Sequence, residues 1–218
     1  MKSSINPISK FVFGLGVLAV GASTALAVTF DFEGQALGTY GSISQTVGSL
    51  TIAVTPNGQS TLDVVGPLGP ASWGNRSLIA YGSGGTGLVV DFSSAVNSAG
   101  IQFGDYDADD DPVTFNAYAG LDGTGALLGT TSLLYPISKN ISNGDADVGS
   151  LSVAASGIMS FVVTSGGAYP GSVYWDNVTA DVGASAPDGG ATFLLMVLAM
   201  SGMVTFKRLT NRRTSLIS

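Results

Sequence analysis

Short runs of alternating hydrophobic and polar residues fill most of the chain. Residues 28–33 alternate phenylalanines with acids, and residues 49–55 keep the same period of two. This period puts successive side chains on opposite faces of a β-strand. Gly, Pro, Asn, Asp and Ser separate the runs, and between 28 and 182 no helical period lasts three turns. The other predicted strands are 61–65, 77–81, 88–92, 100–104, 113–119, 127–133, 157–164 and 172–181.

The spacing of these runs predicts the fold class. Strands at intervals of roughly 8–12 residues, joined by glycine-rich turns, are typical of an antiparallel β-sandwich or barrel. No repeat or long linker divides residues 28–182, which we interpret as one all-β domain, with 183–186 (Gly-Ala-Ser-Ala) as a short linker. We expect an antiparallel β-sandwich flanked by a helix at each end.

The first 27 residues have the organisation of a signal peptide. Lys2 and Lys10 precede and flank an apolar stretch at 11–22, and Ala25 and Ala27 form a small-x-small cleavage site. A basic start, an apolar middle and such a site are what signal peptidase recognises. We therefore expect an N-terminal signal helix, export of the chain, and a mature protein that begins at residue 28.

A second apolar segment follows the domain, at 191–206, and ends at Lys207 and Arg208. Sixteen helical residues span ~24 Å, whereas a bilayer core is ~30 Å thick. The helix is thus short for a permanent anchor and suits a transient one. Basic residues after it predict a cytoplasmic C-terminus, with the domain facing outward. An ordinary C-terminal anchor is the alternative for this segment, which we place at 187–213.

The start of this tail carries a motif. Pro187, Asp188, Gly189, Gly190 and Thr192 precede the apolar helix and its basic stop. In order and spacing the tail resembles the V-P-D-S-G variety of the PEP-CTERM sorting signals, with alanine in place of the usual valine before the proline. The resemblance implies a Gram-negative bacterium, recognition by an exosortase-type membrane protease, and removal of the tail. It also implies release or surface attachment of the mature protein, often where exopolysaccharide is made.

Charge and composition exclude several classes of partner and of catalytic chemistry. Residues 28–186 hold two basic and fourteen acidic side chains, a net charge of −12. Such a surface repels nucleic acid and anionic lipid and attracts divalent cations. The chain has neither Cys nor His, which excludes disulfides, thiolate zinc sites and Ser-His-Asp catalysis and removes the commonest general base. We predict a protein that is not an enzyme.

Two short motifs carry a second resemblance. Phe-Asp-Phe-Glu-Gly at 30–34 and Tyr-Trp-Asp-Asn-Val at 174–178 are similar to the terminal strands of jelly-roll modules of the carbohydrate-binding type. In those modules the first and last strands run side by side, and an acid from each holds a structural calcium ion. The resemblance implies a jelly-roll topology, with Glu33 and Asp176 as calcium ligands and Asp31 as a third.

Five aspartates lie within residues 105–111. Asp105, Asp107 and Asp109 have the alternate spacing that lets a loop direct several carboxylates at one Ca²⁺ ion. The loop is not an EF-hand, because Asp110 stands at its glycine position and no helices flank it. The alternative is a solvated acidic turn between two strands. Like charges this close need compensation by a cation or by Lys139.

Three aromatic residues are candidate ligand-binding groups. Trp73, Tyr106 and Tyr169 lie in predicted loops, where aromatic rings can stack on sugars. Trp73 has an alternative, which is to fold back onto the end of the domain, and Trp175 is expected in the core. We therefore predict an exported, calcium-stabilised, polysaccharide-associated surface or matrix protein. A purely structural envelope protein and a carboxylate-dependent glycan hydrolase or lyase are the alternatives.

Overall fold

A computed structural model of the chain describes residues 27–80, 87–106, 109–139, 141 and 148–183. These residues form β-strands and one 3-10 turn at Ala71–Trp73, and they contain no α-helix. The all-β prediction is therefore confirmed for the described part of the chain. The strands are β1 Ala27–Phe30, β2 Gly38–Tyr40, β3 Ile43–Val47, β4 Leu50–Asn57, β5 Leu62–Val65, β6 Ser77–Ile79, β7 Gly87–Asp105, β8 Asp111–Tyr118, β9 Leu127–Tyr135, β10 Gly149–Ser165 and β11 Val173–Asp181.

All paired strands are antiparallel, in the order β2-β5-β6-β11-β7-β10-β8-β9, with β1 beside β11 and β3 beside β4. The long strands β7 and β10 change partners along their length. The first part of β7 pairs with β4 and the second with β11, while only the last part of β10 pairs with β8. Register shifts between Ala154 and Ser160 interrupt the β7–β10 ladder. The result is a β-sandwich-like sheet around a shared core.

The two ends of the domain meet, as predicted. β1 pairs with β11, with Phe30 opposite Val178. The first strand is shorter than the predicted 28–33, because Phe32 adopts a left-handed backbone conformation (φ 59°) that ends it. Phe30 and Phe32 are nevertheless both buried, with ring centroids 4.3 Å apart. Asp31 and Glu33 therefore lie in the turn after β1 and face solvent.

Some strands differ from the pattern-based prediction. The predicted strands 88–92 and 100–104 are parts of the single strand β7. Strands β2 and β3 and the first half of β10 were not predicted. β2 has only three residues, and the first half of β10 is built mainly of Gly, Ser and Ala, which give little hydrophobic contrast. β2 and the first half of β10 pair with strands that are remote in sequence, β5 and β7. β3 instead forms a hairpin with β4, and its three central residues are polar.

The core is rich in aromatic and branched side chains. Phe115 and Phe161 stack with centroids 4.4 Å apart, and Phe103 lies 5.9 Å from Trp175. Trp175 is buried, as predicted. No helix within the described residues is long and apolar enough to cross a membrane.

The targeting segments fall almost entirely outside the described residues. Ala25, the sorting residues Pro187, Asp188, Gly189, Gly190 and Thr192, and both expected terminal helices belong to this group. Ala27 is the first residue of β1, opposite Asp181. Gly183, the first residue of the predicted linker, donates its N–H to Asp181 Oδ1 at 2.8 Å.

Candidate functional site

Three aspartates converge where β7 ends and β8 begins. Asp105 is the last residue of β7, Asp111 is the first of β8, and Asp109 lies in the loop between them. One carboxylate oxygen from each lies within 4.8 Å of the other two. Asp105 and Asp111 are buried, at 1% and 0% exposure. The alternative for this segment was a solvated acidic turn. Asp105 and Asp111 do not fit it, because both are buried.

A second loop, residues 166–172, closes over this aspartate cluster (Asp105, Asp109 and Asp111). The Ala168 N–H donates to Asp109 Oδ2 at 2.6 Å, and the Ser172 hydroxyl donates to Asp105 Oδ1 at 2.7 Å. The other Asp109 oxygen, Oδ1, is buried and has no hydrogen-bond partner among the described residues. Gly167 lies so close that a Cβ there would be 2.6 Å from Asp109 Oδ2 and 2.7 Å from Asp111 Oδ1.

The cluster overlaps the predicted calcium loop without matching it. Asp105 and Asp109 were predicted and are brought together, whereas Asp107 lies outside the described residues. Asp111 was missed, although it continues the same alternate spacing. Asp110 is not part of the converging set, and its Oδ1 accepts a hydrogen bond from the Ile137 N–H at 2.7 Å.

Two exposed tyrosines flank the aspartate cluster. Tyr106 and Tyr169 are 48% and 59% exposed. The Tyr106 N–H donates to Ser172 O at 3.4 Å, and the Ser172 N–H donates to Tyr169 O at 2.9 Å. The single hydroxyl proton of Ser172 is shared between Asp105 Oδ1 and Tyr169 O, each 2.7 Å from the hydroxyl oxygen. Ser172 thus connects both tyrosines to Asp105. Two of the three predicted sugar-binding aromatic residues therefore lie on adjoining loops beside carboxylates.

Trp73 occupies a different environment. It is 1% exposed, and its indole N–H donates to Gln102 Oε1 at 2.9 Å. A Cβ at Gly69 would lie 2.7 Å from the indole, and one at Gly104 would lie 3.3 Å from it. The ring therefore has no face open to a sugar. Its position matches the alternative considered from the sequence, in which Trp73 folds back onto the domain.

The second group of acids lies around β11. Asp176 is fully buried. Its Oδ1 accepts a hydrogen bond from the Asn177 N–H at 2.6 Å, and its Oδ2 has no hydrogen-bond partner in the described part of the chain. Burial raises the pKa of Asp176 from 3.8 to about 8; the hydrogen bond from Asn177 opposes this, and the charges of Asp31 and Glu33 add to it. The three predicted ligands are therefore close enough to interact.

Glu33 is held by the turn that carries Trp73. Its Oε1 accepts a hydrogen bond from the Asn75 N–H at 2.6 Å, and the Glu33 N–H donates to Asp31 Oδ1 at 3.2 Å. Asp31, Glu33 and Asp176 form a looser set than the aspartate cluster. Of the described residues, the three aspartates of that cluster are the ones whose oxygens converge within 4.8 Å.

Both acidic sites have the donor chemistry that a hard cation prefers. Ca²⁺ binds carboxylate and carbonyl oxygens at adaptable positions. A buried carboxylate oxygen without a hydrogen bond, such as Asp176 Oδ2, requires a proton or a cation for compensation. A calcium ion therefore fits the residues present. No protein-family model and no curated protein matches this chain.

Proposed function

We propose that this chain is an exported, non-enzymatic protein of the cell surface or extracellular matrix, a cation-stabilised jelly roll that associates with polysaccharide. One observation carries the proposal. Tyr106 and Tyr169 are exposed on two hydrogen-bonded loops directly beside three converging carboxylates. This combination of aromatic faces and oxygen donors is suited to a carbohydrate polymer.

The two kinds of group have complementary tasks at such a site. An aromatic ring offers an apolar face against which the C–H face of a sugar can pack, while its hydroxyl stays in water. Carboxylate oxygens accept hydrogen bonds from sugar hydroxyls or hold a cation that the hydroxyls then coordinate. A bound cation also reduces the repulsion between the acidic domain and an acidic polymer.

Calcium would be held in two places. Asp105, Asp109 and Asp111 would hold it beside the tyrosines, and Asp31, Glu33 and Asp176 would hold it where the first and last strands meet. When bound, the ion supplies positive charge to oxygens that the fold has removed from water. The second place joins the turn after β1 to β11, so its expected role is to stabilise the domain.

The tyrosine pair gives the direct test of binding. The Tyr106→Ala, Tyr169→Ala double variant is expected to lose at least about tenfold in retention, because each ring supplies contact area to the sugar. The measurement is retention of the full chain in detergent on immobilised cellulose and alginate, with calcium or with excess chelator. We also expect Asp109→Asn to lower retention in calcium to the level found in chelator.

Tyr118→Ala is the matched control. Tyr118 is the last residue of β8, whereas Asp111 is the first, so Tyr118 lies at the far end of the strand from the aspartate cluster. Its retention is expected to equal that of the unmodified chain. Retention of the double variant at the unmodified level would contradict the proposal. No retention of any form would favour the purely structural protein, and release of oligosaccharide would favour the glycan hydrolase or lyase.

Sorting is proposed from the sequence motifs at the two ends, which lie outside the described residues. We expect the surface form to begin near residue 28 and to lack the apolar segment 191–206, because an exosortase-type protease would remove it. Mass spectrometry of the intact protein recovered from the cell surface measures both ends. A surface form that still contains Phe206 and Lys207 would instead identify an ordinary anchor.

A further inference from the structure

Strand β9 is an edge strand with little of the usual protection. It pairs with β8, and no other strand of the described chain pairs with it. Its nine residues include neither a charge nor a proline. Proteins protect edges with charges, prolines, bulges or short strands. The other strands with one partner, β1, β2 and β3, have three to five residues, whereas β9 has only a bulge near its start.

The surface around β9 is apolar. Leu127 and Leu134 are 55% and 57% exposed, Leu133 is 42% exposed, and Ile137, just beyond the strand, is 54% exposed. These four residues are half of the large hydrophobic side chains that are exposed in the described part of the chain. Clustering of exposed apolar side chains along one edge is typical of an interaction surface.

The order of residues in β9 is self-complementary. The strand reads Leu-Leu-Gly-Thr-Thr-Ser-Leu-Leu-Tyr, with a polar centre and leucines on both sides. We propose that β9 pairs antiparallel with β9 of a second copy of this chain, about a twofold axis at Thr131. This register places Thr131 opposite its own copy, Thr130 opposite Ser132, and Leu128 opposite Leu134. Adjacent strands are stabilised when hydroxyl residues lie opposite hydroxyl residues and apolar residues lie opposite apolar ones. A twofold axis uses the same surface on both copies.

Charge favours this edge as the contact between copies. The region 28–186 carries a net charge of −12, so most approaches of two copies are repulsive. Asp122 precedes β9, while Asp110 and Lys139 lie near its other end. On β8, the charged residue is Asp111, which is buried. Paired β9 strands therefore place no charges opposite one another along their length.

An engineered disulfide tests the register. The chain has no cysteine, so Thr131→Cys introduces a single thiol. Residues directly opposite each other on antiparallel strands have Cβ atoms ~4.5–5.5 Å apart, close to the spacing that a disulfide needs. We expect mild oxidation of the full chain in detergent to convert most of Thr131→Cys to a covalent dimer on a non-reducing gel. Thr39→Cys, on the edge strand β2, is the matched control and is expected to stay monomeric.

A second variant tests association without oxidation. Thr131→Lys places two like charges opposite each other at the axis and is expected to weaken self-association at least tenfold in sedimentation experiments. All variants share the same termini. If the copies associated through those segments, Thr131→Lys and the unmodified chain would therefore associate equally strongly. Equal cross-linking of the two cysteine variants, or unchanged association of a folded Thr131→Lys variant, would overturn the proposal. Cross-linking to a different protein would instead identify β9 as a docking edge for that partner and would also overturn it.

Discussion

The Asp176→Asn variant is expected to unfold at a higher temperature than the unmodified chain in chelator at pH 9. Asp176 has a pKa of about 8 in the folded protein, against 3.8 ordinarily. Between these two pH values the folded chain therefore retains a proton that the unfolded chain has lost, and at pH 9 the folded chain must carry the ionised, buried carboxylate. Stability from this group is fully present below pH 3.8 and is lost as the pH rises through about 8. The full cost is on the order of 5 kcal/mol, and asparagine, which does not ionise, avoids it.

Calcium is expected to reverse this order. A cation at Asp31, Glu33 and Asp176 compensates the ionised carboxylate, so calcium should raise the melting temperature of the unmodified chain by several degrees. The Asp176→Asn variant loses that ligand and should gain much less from this site. Thermal unfolding followed by circular dichroism between pH 4 and pH 9, with calcium or chelator, measures both effects.

The matched control is Asp181→Asn, on the same strand but partly exposed. We expect its melting temperature to follow that of the unmodified chain under every condition. Equal stabilisation of Asp176→Asn and of the unmodified chain by calcium would place the stabilising ion elsewhere, and a further Asp109→Asn substitution would then test the aspartate cluster. A parent chain whose stability does not fall between pH 4 and pH 9 would contradict the assignment of the buried acid.

The Trp73→Ala variant is expected to lose about 3–5 kcal/mol of unfolding free energy, as is usual when a fully buried aromatic side chain is truncated. Trp73 is enclosed by Gly69 and Gly104, and its N–H bonds Gln102, which also accepts a hydrogen bond from Asn177 beside Asp176. Urea unfolding of the full chain measures the change.

Trp73→Phe separates packing from hydrogen bonding. It keeps most of the apolar volume and removes the N–H donor, so we expect a smaller loss, of about 1–2 kcal/mol. Polysaccharide retention by either variant, measured where it remains folded, should equal that of the unmodified chain. A stable Trp73→Ala protein with reduced retention would show that the indole contacts sugar.

The local pattern was enough to predict much of the sheet. Alternation and turn residues predicted β4, β5 and β8 within a few residues, because each alternates buried positions with more accessible ones between clear breakers. β11 was also predicted, although its first four residues are all buried. β2 was missed because it is short and pairs with the distant strand β5, whereas β3, which forms a hairpin with β4, was missed because its three central residues are polar. The end of β1 at the left-handed Phe32 was also missed. Phe30 and Phe32 are both buried, so the sequence shows the same alternation of apolar and polar residues as a strand that continues to residue 33.

For the candidate sites, residue type was predictable and partnership was not. The aspartate run and its spacing pointed to a cation-binding loop, with a solvated acidic turn as the alternative. In the structure Asp111 is buried, because it begins the paired strand β8 and residues 166–172 pack against the loop before it. Trp73 and Tyr106 both lie near turns in sequence, yet one is buried and the other exposed. Which of them can meet a ligand depends on neighbours such as Gly69, Gly104 and Ser172.

By itself, the sequence determined the class of the fold, the acidity of the domain, the absence of cysteine and histidine chemistry, and the motifs that predict export. These properties depend on composition and on local periodicity. The tertiary structure alone decided that Asp105, Asp109 and Asp111 converge, that Asp176 is buried near Asp31 and Glu33, and that β9 is left at an edge. The three aspartates are close in sequence, but the burial of Asp105 and Asp111, like that of Asp176, arises from contacts between segments distant along the chain.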